Sequence, residues 1–143
     1  MPQFVETAAV SHTSAQALVA AAIEEGARLG VAVAVTVVDP ALGLVAYVRA
    51  DGTTPHSVET SRRKANTGAS TRKPSGWMPD DLAVALPLGT DNLLTNVRGG
   101  FPLKAEGRHL GGFGVAGGTP AQDAEIALAA LAREGFDVPE AAS

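Results

Sequence analysis

One short segment constrains the fold more than any other part of the chain. Residues 109–116 read HLGGFGVA, and Gly112, Gly114 and Ala116 occupy every second position. Because successive side chains of a β-strand point to opposite faces of the sheet, a strand here has one face with almost no side chains. A helix, a second subunit or a ligand can therefore approach the backbone of that strand closely.

Two further strands are predicted in the first half of the chain. Residues 31–38 read VAVAVTVV, a β-branched run in which neither face is polar, so both faces of this strand should be covered. Residues 39–43 have the composition of a turn, and residues 44–50 form the next strand. The short connection predicts that the two strands form an antiparallel hairpin.

Three longer helices are predicted around these strands. Two of them start at capping boxes, in which a hydroxyl residue, Thr13 or Thr119, is followed three positions later by glutamine. The other starts at Thr54, because Thr54 suits an N-cap and Pro55 suits the first helical position, and it stops before Pro74. The predicted helices cover residues 14–29, 54–72 and 119–135.

The remaining segments complete the predicted fold. A short helix is expected over residues 80–86, a short strand over 92–97, and a hairpin from 102–105 and 109–116. The resulting order predicts the α+β class, a mainly antiparallel sheet with helices packed on it. The 143 residues suit a single domain, 1–143, with its core in residues 14–133 and a loose tail over residues 137–143.

Composition excludes several classes of protein. The formal charge of −4 argues against a nucleic-acid binder. No apolar run approaches the roughly 20 residues of a membrane helix. Residues 1–12 lack the pattern of a secretory signal, which predicts a cytoplasmic protein. Because the chain has no cysteine, thiolate chemistry and cysteine-ligated metals are excluded.

The helix predicted at 54–72 is unusually basic. It carries Arg62, Arg63 and Lys64, and with Arg72 and Lys73 it holds five of the eleven basic residues. Its apolar stripe is thin. Two interpretations remain open: the basic side chains form a solvated helix face, or they face an anion or a second subunit.

A few polar residues are candidates for chemistry. His56 falls in the first helical turn, where the helix dipole favours a neutral ring that can accept a proton or bind a metal. Asp51, Lys64 and Asp123 can serve as acid–base groups. Each of the four also has a purely structural interpretation, as a buried or surface histidine, a turn residue, an ion pair or a cap.

The start of the last helix is a candidate anion site. Gly118 and Thr119 open that helix, and the free N–H groups of a helix start can hold a carboxylate or phosphate. Neither GxGxxG nor GxxxxGK[ST] occurs in the sequence, so this expectation rests on the helix start alone.

The order of several motifs resembles a known family. The chain is similar, over roughly residues 14–133, to the GlcG/HbpS-like or heme-degrading-domain family, which includes the C-terminal domain of PduO. The motifs that carry the resemblance are Val37-Val38-Asp39, Arg49-Ala50-Asp51-Gly52, Lys64-Ala65, Gly99-Gly100-Phe101-Pro102-Leu103, and the segment 110–118 followed by Asp123. The chain departs from the family pattern at Ala116, where members commonly have serine.

The resemblance implies a profilin-like fold, with a five-stranded antiparallel sheet between helical layers, and homo-oligomers. Some members of the family bind heme and are reported to degrade it, and one acts as an extracellular redox-sensing accessory protein. We therefore expect a homo-oligomeric protein that binds heme or another small anionic ring compound.

The expected ligand site combines three parts of the chain: the basic helix, the loop 99–102 and the start of the last helix. His56 is the expected iron ligand or base, and Lys64 and Arg62 face carboxylates of the ligand. The expected remaining ligand-binding residues are Gly100, Phe101, Gly117, Gly118 and Thr119. Two alternatives stay open. One is a cofactor-free acid–base enzyme for a small or polyketide-like substrate, with His56, Lys64 and Asp51 as its catalytic groups, and the other is a structural oligomer without a ligand.

Overall fold

A four-stranded antiparallel sheet organises the computed structural model, which describes residues 2–140. The strand order is β2-β1-β4-β3, and every neighbouring pair is antiparallel, as the α+β class predicts. The elements are α1 (His12–Arg28), β1 (Ala34–Val38), β2 (Leu44–Arg49), α2 (Ser57–Thr71), α3 (Asp80–Ala83), α4 (Ala85–Gly89), β3 (Gly100–Ala105), β4 (Arg108–Ala116) and α5 (Pro120–Arg133).

The expected fifth strand is not found within residues 2–140. Residues 92–97 have no strand pairing, and Asn92 has a φ of 61°, which is left-handed rather than extended. The backbone of this segment bonds instead to side chains of α2: Asn66 donates to the carbonyl of Leu93, and Thr67 accepts from the N–H of Thr95. The segment therefore covers α2 and adds no strand to the sheet.

The glycine-lined face of β4 is covered by α2. A Cβ atom on Gly112 or Gly114 would overlap the main-chain carbonyl of Ala65 or Ser61 on that helix. Ser61 is fully buried, and its hydroxyl lies 2.8 Å from that of Thr36 on β1. Of the three coverings that the sequence allows for this face, the structure has the helix.

The other face of the sheet carries the larger apolar core. Here α1 and α5 pack on alternate residues of β1 and β4, so neither face of β1 is exposed, as its sequence predicts. Complete burial of a large apolar side chain contributes roughly 1.5–3 kcal/mol, so this layer is the main source of stability. Fully buried members include Leu18, Val33, Val35, Val37, Phe113, Val115, Ile126 and Leu131.

The helix ends agree only partly with the sequence signals. The capping box at the start of α5 is present, because the Thr119 hydroxyl accepts from the Gln122 N–H and the Gln122 side chain accepts from the Thr119 N–H. The capping box expected at Thr13 is wrong. Helix α1 begins earlier, and the Ser11 hydroxyl caps it by accepting from the Ser14 N–H.

The basic helix starts two residues later than predicted. Thr54 does not cap the backbone, since its hydroxyl lies 2.6 Å from the hydroxyl of Ser57. The helix ends close to the predicted point, with Arg72 left-handed at a φ of 59°. The single helix expected over residues 80–86 is instead the two short helices α3 and α4.

The chain ends add little regular structure. Residues 137–140 lie outside any helix or strand, although the N–H of Asp137 bonds to the carbonyl of Lys104 on β3. The rest of the predicted tail, 141–143, lies outside the described residues. Within residues 2–140, every helix is too short or too polar to cross a lipid bilayer.

Candidate functional site

A cavity of about 300 Å³ opens between the start of α2, the end of β4 and the start of α5. It brings together five residues that the sequence analysis singled out separately: His56, Lys64, Gly117, Gly118 and Asp123. The other lining residues are Thr54, Ser57, Thr60, Val97, Ala116 and Pro120. Polar side chains from α2 therefore face the start of α5 across this space.

A buried ion pair borders the cavity. Lys64 Nζ donates to Oδ2 of Asp123 and to the carbonyl of Val115, each at 2.8 Å. The two side chains are only 1% and 3% exposed. Burial lowers the pKa of the Lys64 ammonium, and the Asp123 carboxylate opposes that shift. An ammonium has three N–H donors, and these two contacts use two of them.

The same carboxylate holds the loop that precedes α5. Oδ1 of Asp123 accepts from the N–H of Gly118 at 2.8 Å. Gly117 has a φ of 138°, and a Cβ atom there would lie 2.5 Å from the carbonyl of Ala32. The residue that requires glycine for its backbone is thus Gly117, whereas Gly118 lies outside the left-handed region.

His56 lies at the opposite side of the cavity, at the N-cap position of α2. Its residue is exposed, and its side chain makes no capping hydrogen bond. The hydroxyl of Thr60 donates to the main-chain carbonyl of His56. The imidazole is therefore available to a ligand at the cavity mouth, next to the hydroxyl groups of Thr54, Ser57 and Thr60.

The positive end of a helix dipole completes the electrostatics of the site. Gly117, Gly118 and Pro120 line the cavity at the start of α5, where the aligned peptide dipoles favour an anion. The N–H groups of Gly118, Thr119 and Gln122 are already bonded within the loop and the capping box, so the dipole acts here without them. Because the charge of Lys64 is balanced by Asp123, this helix start supplies the excess positive potential. The arrangement suits a ligand that carries carboxylate or phosphate oxygens.

Comparison with known families identifies the fold. The family model described as haem-degrading protein HbpS-like matches residues 10–132. The chain belongs to the HbpS-like family. The resemblance inferred from the sequence motifs is thereby confirmed.

Solved structures of similar chains agree with the HbpS-like assignment. A crystal structure of HbpS is 30% identical, has a TM-score of 0.83, and matches over 93% of this chain and 95% of its own. A double mutant of HbpS from Streptomyces reticuli is 29% identical, with a TM-score of 0.83 and coverages of 94% and 93%. A PduOC:heme complex is 26% identical, with a TM-score of 0.85 and coverages of 92% and 99%. Among curated proteins, no sequence gives a significant match.

Two of the expected site residues, Gly100 and Phe101, are buried and do not line the cavity. Phe101 belongs to the apolar core, and Gly100 is buried beside it on β3. A Cβ atom on Gly100 would overlap the carbonyl of Lys64. These residues support the backbone of α2 beneath the cavity and do not line it.

Three other expected residues lie outside the cavity lining. Asp51 is exposed in the turn after β2. Arg62 forms an ion pair with Glu59 at 2.6 Å, and this hydrogen bond lowers the pKa of the Glu59 carboxyl. Thr119 is adjacent to the lining residues Gly118 and Pro120, and its hydroxyl caps α5.

Several lining residues were not among the expected ones. Ser57 and Thr60 are two of them, and they lie on the same face of α2 as the expected Lys64, at a spacing of three and four residues that is a helical signal present in the sequence. Val97 reaches the cavity from the irregular segment before β3, and nothing in its neighbourhood predicts that position.

A metal ion with several protein ligands does not fit the described residues. In the stretch from 2 to 140, no group of three or more histidine, cysteine, aspartate or glutamate side chains converges. His56 can offer one nitrogen ligand. One ligand from the protein can hold a heme iron, because the porphyrin nitrogens supply the remaining ligands.

Proposed function

We propose that this HbpS-like protein binds a small anionic ring compound, with heme as the leading candidate, at the cavity between α2, β4 and α5. The observation that carries the proposal is the meeting of an exposed imidazole, a buried Lys–Asp pair and a helix start around one cavity. The PduOC structure solved with heme supports it, since that chain is 26% identical over nearly its full length.

The residues fit heme at the mouth of the cavity better than heme enclosed within it. A volume of about 300 Å³ is at the lower end for small-molecule sites, and a porphyrin ring needs more room. Val97 is 41% exposed and, with Pro120, offers apolar surface beside the mouth. When bound, heme supplies a redox-active iron.

Each group of the site has a role in this proposal. His56 would hold the iron of a bound heme through one ring nitrogen. The remaining N–H of Lys64 and the start of α5 bind the carboxylates of the ligand. Asp123 opposes the lowering of the Lys64 pKa by burial, and it keeps the Gly118 loop in place.

A hemin titration with a matched histidine control tests the proposal. The parent protein and His12→Ala should both shift the Soret band of hemin, since His12 is exposed at the start of α1 and away from the cavity. His56→Ala should lose the shift while keeping its circular dichroism spectrum. No shift in the parent at micromolar hemin would contradict heme binding, and an unchanged shift in His56→Ala would reject His56 as the ligand.

A second candidate function rests on Lys64. Burial lowers the pKa of this amine at the edge of a cavity, which is a property of acid–base catalysts. We propose as the alternative a cofactor-free enzyme for a small or polyketide-like substrate, in which Lys64 exchanges a proton with the substrate. Turnover by protein free of metal, heme and flavin, lost in Lys64→Met samples that keep the circular dichroism spectrum of the parent, would favour this alternative over ligand binding alone.

Self-association is the remaining part of the proposal. Residues 82–97 present several large apolar side chains to solvent, which is unusual for a small monomer. Closed symmetric assemblies are the commonest way to bury such a surface. We expect a symmetric homo-oligomer in which this segment is an interface.

A further inference from the structure

A second cleft lies at the far end of α2, away from the candidate site. It has a volume of about 260 Å³ and shares no lining residue with the cavity around Lys64. Four separate segments form it: the chain before α1, the β1–β2 turn, the end of α2 and the β3–β4 hairpin. The lining residues are Glu6, Thr7, Ala8, Pro40, Arg72, Gly107, Arg108 and His109.

The cleft concentrates positive charge in a chain whose net charge is −4. Arg72 ends α2, Arg108 begins β4, and Lys104 is the β3 partner of His109. Within residues 2–140, neither arginine forms an ion pair with a carboxylate. Glu6 is the single acidic side chain in the lining, so an excess of positive charge remains.

His109 also lines the cleft, where its imidazole can report a bound anion but has no N–H left to donate to it. Its Nε2 lies 2.9 Å from the carbonyl of Ala69, so this nitrogen carries the proton and caps the end of α2. Its Nδ1 has no hydrogen-bond partner among the described residues, although it is shielded from solvent. Burial and the nearby Arg72 lower the pKa of His109, which favours the neutral ring.

The end of α2 explains part of this cluster but not all of it. Cations near a helix C-terminus are stabilised by the helix dipole, which accounts for Arg72. The contact of His109 with Ala69 is a hydrogen bond to a carbonyl of the last turn. Arg108 belongs to the hairpin, and the dipole gives no reason for a second guanidinium beside the first. Two arginines that line one cleft match an anion with three or more oxygens, because each guanidinium can donate a separate pair of hydrogen bonds.

We propose that this cleft binds the phosphate group of a small phosphorylated molecule, through Arg72 and Arg108, with His109 at its side. A carboxylate has only two oxygens to share between two arginines, which makes phosphate the better match. The small volume limits the rest of the ligand to a few atoms beyond the phosphate. The site is independent of the proposed function at the Lys64 cavity.

Histidine ring signals in a nuclear magnetic resonance titration with inorganic phosphate at pH 7 and constant ionic strength test the proposal. The signals of His109 should shift and saturate, while those of His12, which lines neither cavity, stay in place. Arg108→Gln and Arg72→Gln should each weaken binding at least fivefold. Arg49→Gln removes the same charge from an exposed position on β2 outside the cleft, and it should bind like the parent.

The outcomes separate this proposal from its competitors. Equal weakening in Arg49→Gln would reduce the effect to overall charge and overturn the site. A shift of His56 without one of His109 would move the anion to the first cavity. Acetate binding as tightly as phosphate would overturn the assignment of the ligand. Arg108 is exposed at the start of its strand, so Arg108→Gln decides the test if Arg72→Gln does not fold.

Discussion

At the scale of single residues, Lys64 is the most consequential side chain in this protein. Burying a charge is costly unless it is paired and hydrogen-bonded, and Lys64 meets both conditions through Asp123 and Val115. The pair joins the middle of α2 to the first turn of α5. Asp123 also accepts from the N–H of Gly118, which fixes the loop between β4 and α5. The same contacts that shape the cavity therefore also hold the fold together.

Lys64→Met should be strongly destabilising. Removing the ammonium leaves the Asp123 carboxylate buried without a counter-charge, and breaking such a pair typically costs about 3–5 kcal/mol. Urea denaturation at pH 7 measures the loss. Lys104→Met serves as the control, because its side chain forms no ion pair in the described structure and its change should stay within about 0.5 kcal/mol.

The double variant Lys64→Met with Asp123→Asn separates the charge effect from packing. A neutral amide needs no counter-ion, and its oxygen can still accept from the N–H of Gly118. Part of the lost stability should therefore return. A double variant no more stable than Lys64→Met would show that lost packing, and not the unpaired carboxylate, causes the damage.

At the scale of secondary-structure elements, the packing of α2 on β4 depends on missing side chains. The carbonyls of Ser61 and Ala65 lie where Cβ atoms of Gly114 and Gly112 would be. The helix thus contacts the strand backbone directly, which places Lys64 within reach of Val115 and Asp123. A wider separation of helix and sheet would break the ion pair as well as the packing.

Gly114→Ala should lower the free energy of unfolding by about 1–3 kcal/mol, the usual cost of over-packing. The added methyl group meets main-chain atoms, which cannot rotate away as a side chain can. The matched control is Gly89→Ala at the end of α4, where an added Cβ has no atom within 4 Å. Thermal or urea unfolding compares the two, and equal stability of both variants would contradict direct helix–strand contact.

The two capped helices provide a matched pair for the start of α5. Thr119→Ala and Ser11→Ala each remove a hydroxyl that accepts from a backbone N–H, and each should cost about 1 kcal/mol of stability. If the start of α5 binds the ligand, only Thr119→Ala should also weaken hemin binding, by several-fold. Unchanged hemin affinity in Thr119→Ala would limit Thr119 to its capping role and remove it from the ligand site.

At the scale of the whole molecule, many of the exposed large apolar side chains lie in one segment of the chain. One stretch, 82–97, carries exposed apolar side chains, among them Val84 and Leu88 at 66% exposure each. Helix α4 and the end of α3 lie within this stretch, and neither helix contains a buried residue. An apolar surface of this kind is typical of a protein–protein interface.

The parent protein should therefore scatter light as a species several times heavier than the 14.4 kDa chain. Val84→Asp combined with Leu88→Asp should reduce that mass, because charged side chains resist burial in an interface. Leu44→Asp is the control, since Leu44 is as exposed but lies on the edge strand β2. A mass near that of one chain at all concentrations would contradict self-association, and equal loss in the control would place the interface elsewhere.

Local signals in the sequence were sufficient for the parts of the fold that depend on neighbours along the chain. The capping box at Thr119, the fully covered strand β1 and the side-chain-free face of β4 follow from spacing and residue type alone. The motif order also led to the HbpS-like family, which the family model confirms. These features depend on hydrogen bonds and periodicities within a few residues, which a single sequence displays directly.

Only the tertiary structure decided which distant residues meet. Lys64 and Asp123 are 59 positions apart, and each has several plausible local roles until the packing of α2 on β4 brings them together. Phe101 has the residue type of a ligand contact, yet the sheet places it in the core. The sequence of residues 92–97 is compatible with a strand, but their backbone forms hydrogen bonds with the side chains of Asn66 and Thr67 on α2 and not with another strand. Such outcomes depend on which long-range contacts are more stable, and the periodicity of residues along the chain does not show which distant residues compete for a contact.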